Sequence, residues 1–163
     1  RNFPDGEIEW QKLQGVMYGP RMGEASFSPQ VVDFFWLCRK RGAIIRIISH
    51  KTEYANYDET RTNLRQAAMQ WMTDHSFFDS SGLGLSEEDV NFVGTRREKS
   101  ETILRLGCTH FVDDLEEVFQ EPSFPSNVQK ILFTAQEPES PVSGVAVAAT
   151  WNQVRAHIFP DGS

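Results

Sequence analysis

The chain has 163 residues, 39% of them apolar and 12% aromatic, enough for one domain with a real core. Its formal charge of −7 argues against nucleic acid as a partner, because phosphate backbones recruit basic surfaces. No apolar run approaches the roughly 18 residues of a membrane span and no signal peptide is visible, so the composition reads as a cytoplasmic protein with no membrane partner.

In chain order, Glu7–Val16 is a short predicted helix, and Tyr18–Glu24, broken by Gly and Pro, is a loop. A clear helix follows, with Ser28 as its cap, Pro29 at the first helical position and Gly42 as its end. Ala43–Ile48 is a β-branched run of the buried-strand type. Asp58–Asp74 has helical periodicity through Leu64, Ala67, Ala68, Trp71 and Met72. Residues 76–89 are a connection rich in Gly, Ser and Asp, and Val90–Val93 is a strand. A helix over Glu98–Leu106 stops at Gly107. Thr109–Val112 is a strand, Leu115–Gln120 a helix and Gln129–Phe133 a strand. Glu137–Gly144 is a flexible segment, Val145–Ala149 an ambiguous apolar run and Trp151–Phe159 a terminal helix. Alternating strands and helices of this kind predict an α/β fold with a doubly wound parallel sheet.

In such sheets ligands bind beyond the carboxyl ends of the strands. Ser49, His50, Lys51 and Thr52 follow the first predicted strand, Gly94 and Thr95 follow the second with Lys99 shortly after, and Asp113 and Asp114 follow the third. A hydroxyl holds phosphoryl oxygens, a lysine offsets their charge, and adjacent carboxylates suit Mg²⁺, a hard cation that prefers oxygen ligands. Each residue also has a structural reading. Asp114 fits as the cap of the helix from Leu115. Ser49 fits as a hydroxyl bonding its own backbone. Lys99 fits as a solvated surface lysine. Asp113 is harder to explain away, since adjacent like charges repel without a cation. Cys38 and Cys108 read as buried, reduced and inert, with no disulfide framework or zinc motif.

The order apolar strand–Ser49, then Lys99 at a helix start, then apolar strand–Asp113-Asp114 resembles the second, third and fourth motifs of the haloacid dehalogenase (HAD) superfamily, across residues 28–133. The stretches from Trp10 to Glu24, from Ile48 to Thr52 and from Gly107 to Asp114 also resemble a group of uncharacterised bacterial HAD-like hydrolases. Response-regulator receiver domains share the residue types, but their acidic pair comes first and here it comes last. The resemblance implies a Mg²⁺-dependent phosphatase of a small phosphorylated metabolite, working through an aspartyl-phosphate. Ser49 binds the transferring phosphoryl group, Lys99 stabilises charge, and Asp113 and Asp114 hold Mg²⁺. His50 and Arg21 are further candidate substrate contacts. Residues 1–28 then correspond to a cap-like or linker segment and residues 29–163 to a HAD-like core.

One motif departs from the family. No Asp-x-Asp-x-Thr/Val follows an apolar strand before Ser49: Asp5 is followed by Gly6 and Glu7, and Asp33 lies inside a predicted helix. The core is therefore expected to lack its first strand and its nucleophile. The non-methionine start at Arg1 favours a native polypeptide extending upstream; the alternative is a catalytically inactive HAD-like binding or interaction module.

Overall fold

Strands and helices alternate along residues 27–54, 62–136 and 142–160, the parts of the chain that the computed structural model describes. The helix expected at Glu7–Val16, the loop at Tyr18–Glu24 and Arg21 lie outside them. The described residues fall into two compact units, one within residues 49–94 and one comprising residues 27–48 with those from 95 onward. The architecture is mixed α/β.

The unit containing residues 27–48 and 95–163 begins with α1, Val31–Lys40. Its C-terminus ends as expected, with Arg39 and Lys40 in the last turn and Gly42 at φ 68°, a left-handed conformation that glycine adopts without a Cβ penalty. Its N-terminus differs. Gln30, at φ 69°, occupies the cap without a side-chain bond, and Val31 N–H donates to the Ser28 carbonyl at 3.3 Å. The Ser28 backbone, not its hydroxyl, closes the turn, and Pro29 falls before the helix. After α1, Ala43 N–H donates to the Cys38 carbonyl at 2.9 Å, so this residue belongs to the helix end. Ile44 is 78% exposed. The strand β1 therefore runs over Ile47–His50, shifted from the expected Ala43–Ile48, and it includes Ser49. Apolar β-branched residues mark a strand only where their side chains find burial.

The same unit continues with α3, Arg96–Arg105 (α2 is described below), then β3, His110–Asp113, and α4, Glu116–Phe119. It ends with β4, Gln129–Phe133, β5, Val145–Ala148, and α5, Trp151–Ile158. Strands β3, β4 and β5 form a parallel sheet in that order. Asp113 is in register with Leu132, and Leu132 with Val147. Ile103, Val118, Ile131 and Val154 are fully buried and form the heart of this core. Helix α5 packs on β4, β5 and α1. Trp151 lies between Phe34 and Phe133, with ring centroids at 5.0 and 5.2 Å. Lys130 reaches from β4 to donate to Phe119 O at 3.1 Å, satisfying a carbonyl at the end of α4 while sitting 4.9 Å from the Phe124 ring centre.

In the other unit, α2 covers Leu64–Asp74. Within the stretch expected to be helical from Asp58, residues 58–61 lie outside the described residues. The described helix is capped at its start by Asn63, whose side-chain oxygen accepts from Arg65 N and Gln66 N at 3.1 and 3.0 Å. Leu64, Ala68 and Met72 are buried, with Phe77, Leu83, Leu85 and Val93. The connection over residues 76–89 is an ordered turn in which Leu83 N–H returns to the Ser76 carbonyl at 3.0 Å. It ends in one 3-10 turn, Glu87–Asp89, closed by a reciprocal Ser86–Asp89 capping box. Strand β2, Val90–Val93, matches its predicted bounds and pairs with β1.

No helix among the described residues is long and apolar enough to cross a membrane. Cys38 is buried, which pushes its thiol up to about 11 and leaves it protonated at neutral pH. Cys108 is only half-buried, against the expectation. Burial raises its thiol too, partly offset by the Arg46 charge.

Candidate functional site

Helix α3 is strongly polar in sequence, yet it buries Lys99, Ser100 and Thr102 together with Ile103. Its start is fixed by Thr95, whose hydroxyl accepts from Glu98 N–H at 3.1 Å. The helix therefore begins at Arg96, two residues earlier than expected, and Lys99 lies a full turn inside it. That placement sends the lysine inward rather than to the surface. Removing the cap should be felt at the site: Thr95→Ala is expected to lower stability by about 1 kcal/mol, read as a shift in the denaturant midpoint with an unchanged slope.

Lys99 Nζ meets Asp113 Oδ2 at 2.6 Å, with both side chains more than nine-tenths buried. Asp113 is the last residue of β3 rather than the first beyond it. Its second oxygen, Oδ1, accepts from the Leu115 backbone N–H at 3.0 Å. A buried carboxylate is tolerated only when its charge is paired and each oxygen has a hydrogen-bond partner, and both conditions hold. The Lys99 ammonium also lies 5.8 Å from the Phe111 ring centre. Beside it, the Ser100 hydroxyl is buried without a hydrogen-bond partner among the described residues.

Asp114 is exposed and does not cap the following helix. Leu115 occupies the cap position of α4, no side chain bonds there, and the turn into the helix is held by Asp113 instead. The two adjacent aspartates thus differ in environment: one is locked and buried, the other faces solvent. No group of three or more His, Cys, Asp or Glu side chains is placed to hold a metal among the described residues. The donors that are present suit a hard cation, since they are carboxylate oxygens only and Mg²⁺ is commonly held by one or two carboxylates with waters completing the shell. Each Asp113 oxygen is engaged once and keeps a second lone pair.

Ser49 and His50 belong to the other unit. Ser49 is half-buried in β1. Its hydroxyl makes no hydrogen bond among the described residues, which removes the reading in which it bonds its own backbone. His50 is exposed, with Nε2 at 2.8 Å from the Gly94 carbonyl oxygen. Arg21 lies outside the described residues. The structure thus brings together Lys99 and Asp113 among the expected site residues. In the other unit, Arg65 Nε–H donates to the Lys51 carbonyl at 2.9 Å; Lys51 was in view as a residue beyond the strand, while Arg65 sits mid-pattern in a helix and carried no signal of its own. Comparisons with known protein families, with curated proteins and with solved structures found no match.

Proposed function

We propose that this chain carries the Mg²⁺-dependent phosphohydrolase chemistry of a HAD-type enzyme, acting on a small phosphorylated metabolite, on a sheet of the doubly wound kind. One observation carries the reading: a buried lysine–aspartate pair at the carboxyl end of a parallel strand, followed at once by an exposed second aspartate. Phosphoryl transfer asks little covalent chemistry of the protein and much positioning of charge. Lys99, held by its salt bridge inside the fold, is a fixed positive charge that needs no reorganisation during reaction. Asp113, oriented by Lys99 and by Leu115 N–H, and Asp114 would hold Mg²⁺, which when bound polarises a phosphoryl oxygen. The resemblance assigns Ser49 to a phosphoryl oxygen, and its hydroxyl is uncommitted within the described residues. The lack of an Asp-x-Asp motif before Ser49 favours the second reading, a HAD-like module that binds a phosphorylated ligand or a protein without turning it over.

The test is Mg²⁺-dependent release of phosphate from p-nitrophenyl phosphate by the full-length polypeptide that contains this sequence, paired with calorimetric Mg²⁺ titration. Wild type is expected to release phosphate and to lose the activity when Mg²⁺ is chelated. Asp113→Asn is expected to weaken Mg²⁺ by about tenfold or more, in line with loss of a ligand charge. Mg²⁺ affinity unchanged by that substitution removes the metal assignment. Binding of inorganic phosphate without any turnover selects the non-catalytic module.

A further inference from the structure

Among the described residues, the Lys99 ammonium has two partners of different kinds. Asp113 Oδ2 lies at 2.6 Å and the Phe111 ring centre at 5.8 Å. Phe111 and Asp113 stand two apart on β3, so their side chains leave the same face of the strand, and both are buried. Lys99 reaches that face from α3. Its charge therefore meets a carboxylate at the strand end and an aromatic ring two residues before it.

The ring is itself held in place. Phe111 meets Phe124 edge-on, with centroids 6.2 Å apart and planes at 62°, and Phe124 meets Phe119 at 5.6 Å and 67°. Phe119 and Phe124 are buried as well. A ring wedged into a close-packed cluster of this kind offers the ammonium a fixed surface.

The two partners hold a lysine by different means. The carboxylate gives the stronger attraction, but in the phosphohydrolase reading it also serves a metal cation. Two positive charges that share one carboxylate repel each other and compete for it. An aromatic face attracts the ammonium through its quadrupole and carries no net charge for a metal to claim. An aliphatic side chain in the same space would fill it and offer no such face.

We propose that Phe111 is a positioning residue, whose ring holds the Lys99 ammonium at the carboxyl end of β3 independently of Asp113. This deepens the phosphohydrolase reading, and its catalytic consequence rests on that reading: Lys99 meets the phosphoryl group, and Phe111 acts through Lys99. The contact between ring and ammonium stands apart from any activity.

The experiment replaces Phe111 by mono-, di- and trifluorinated phenylalanine in the full-length polypeptide that contains this sequence. Fluorine withdraws charge from the ring face and changes its shape little, so a purely structural role is left nearly intact. In the first arm, urea unfolding is expected to show the folding constant falling in steps, by about fivefold or more across the series. The same series in the Lys99→Met and Asp113→Leu double variant, which has no ammonium, should be flat. A flat series in the otherwise unchanged protein overturns the proposal. Equal steps in both backgrounds assign the effect to Phe124 and overturn it too. In the second arm, which needs no change to the ion pair, kcat for p-nitrophenyl phosphate should fall in parallel by about fivefold or more while KM stays within about twofold. Stepwise stability with a constant kcat overturns the positioning role and leaves the phosphohydrolase reading standing. Absence of phosphate release from the unsubstituted protein overturns that reading and the catalytic role of Phe111 with it, and the unfolding arm then decides the contact alone.

Discussion

Lys99→Met should cost about 3–5 kcal/mol of stability and abolish any phosphate release, the largest effect expected for a single substitution here. Methionine fills a similar volume, so packing is nearly conserved and the loss reports charge. What remains is Asp113, more than nine-tenths buried, with one oxygen still on Leu115 N–H and the other facing a thioether. An uncompensated carboxylate at this depth is far more costly than the pair it came from, because its desolvation is no longer offset by an ammonium at 2.6 Å. The double substitution Lys99→Met with Asp113→Leu should therefore recover much of the stability while remaining inactive. A double-mutant cycle by denaturant unfolding gives the coupling directly. A loss below about 1 kcal/mol in the single variant would place the pair with ordinary surface salt bridges and contradict its burial.

Gly82→Ala is expected to lower stability by about 3 kcal/mol, the upper end of the range for forced overpacking. A Cβ built on Gly82 would clash with the Ser76 carbonyl oxygen and stand 2.8 Å from Ser76 Cβ. The carbonyl cannot retreat easily. It accepts Leu83 N–H at 3.0 Å, and Ser76 itself sits at φ 58°, a left-handed conformation that is costly for a residue with a side chain. The loop therefore has no cheap way to yield. Phe77, Leu83 and Leu85 are buried along this turn, so the disturbance passes straight into the core of its unit. Urea unfolding followed by circular dichroism measures the effect, and an unchanged midpoint would mean that the turn is softer than its hydrogen bonds imply.

Much of this architecture is legible in the sequence, for reasons that differ by element. Val90–Val93 and Gln129–Phe133 are short apolar runs with turn residues or prolines nearby, and both strands have the predicted bounds. Gly42 and Gly107 end their helices in left-handed conformations, as a residue without Cβ should. Errors fall where a local signal has two possible users. Ser28 and Asp114 have the chemistry of caps, but a backbone carbonyl and the neighbouring Asp113 take those roles. Ile44 and Ile45 have strand propensity, but Ile44 is exposed and the strand starts only at Ile47. Lys99 shows the limit most clearly. Its neighbours Arg96, Arg97, Glu98 and Glu101 are exposed, and composition alone reads this stretch as solvated. Only the helix phase set by Thr95, combined with an aspartate ending the next strand, turns that lysine inward. The motif order named both residues as candidates, each in a separate role, without foreseeing that they pair. Periodicity could not have done so, because a buried ion pair breaks the very pattern that periodicity measures.

The aromatic stack of Phe34, Trp151 and Phe133 also bears on how the chain is made. Phe34 lies on the first helix of its unit and Trp151 on the last, with residues 49–94 belonging to the other unit in between. During synthesis from the N-terminus, α1 leaves the ribosome long before its partner is translated. The contact of its Phe34 with Trp151 cannot form until α5 has emerged. The segment 62–94, by contrast, brings the Asn63-capped helix, the Gly82 turn and strand β2 from consecutive stretches, and their contacts can form while translation continues. Nascent chains stalled before residue 151 should therefore lack the aromatic stack, and extension through α5 should raise the protease resistance of α1.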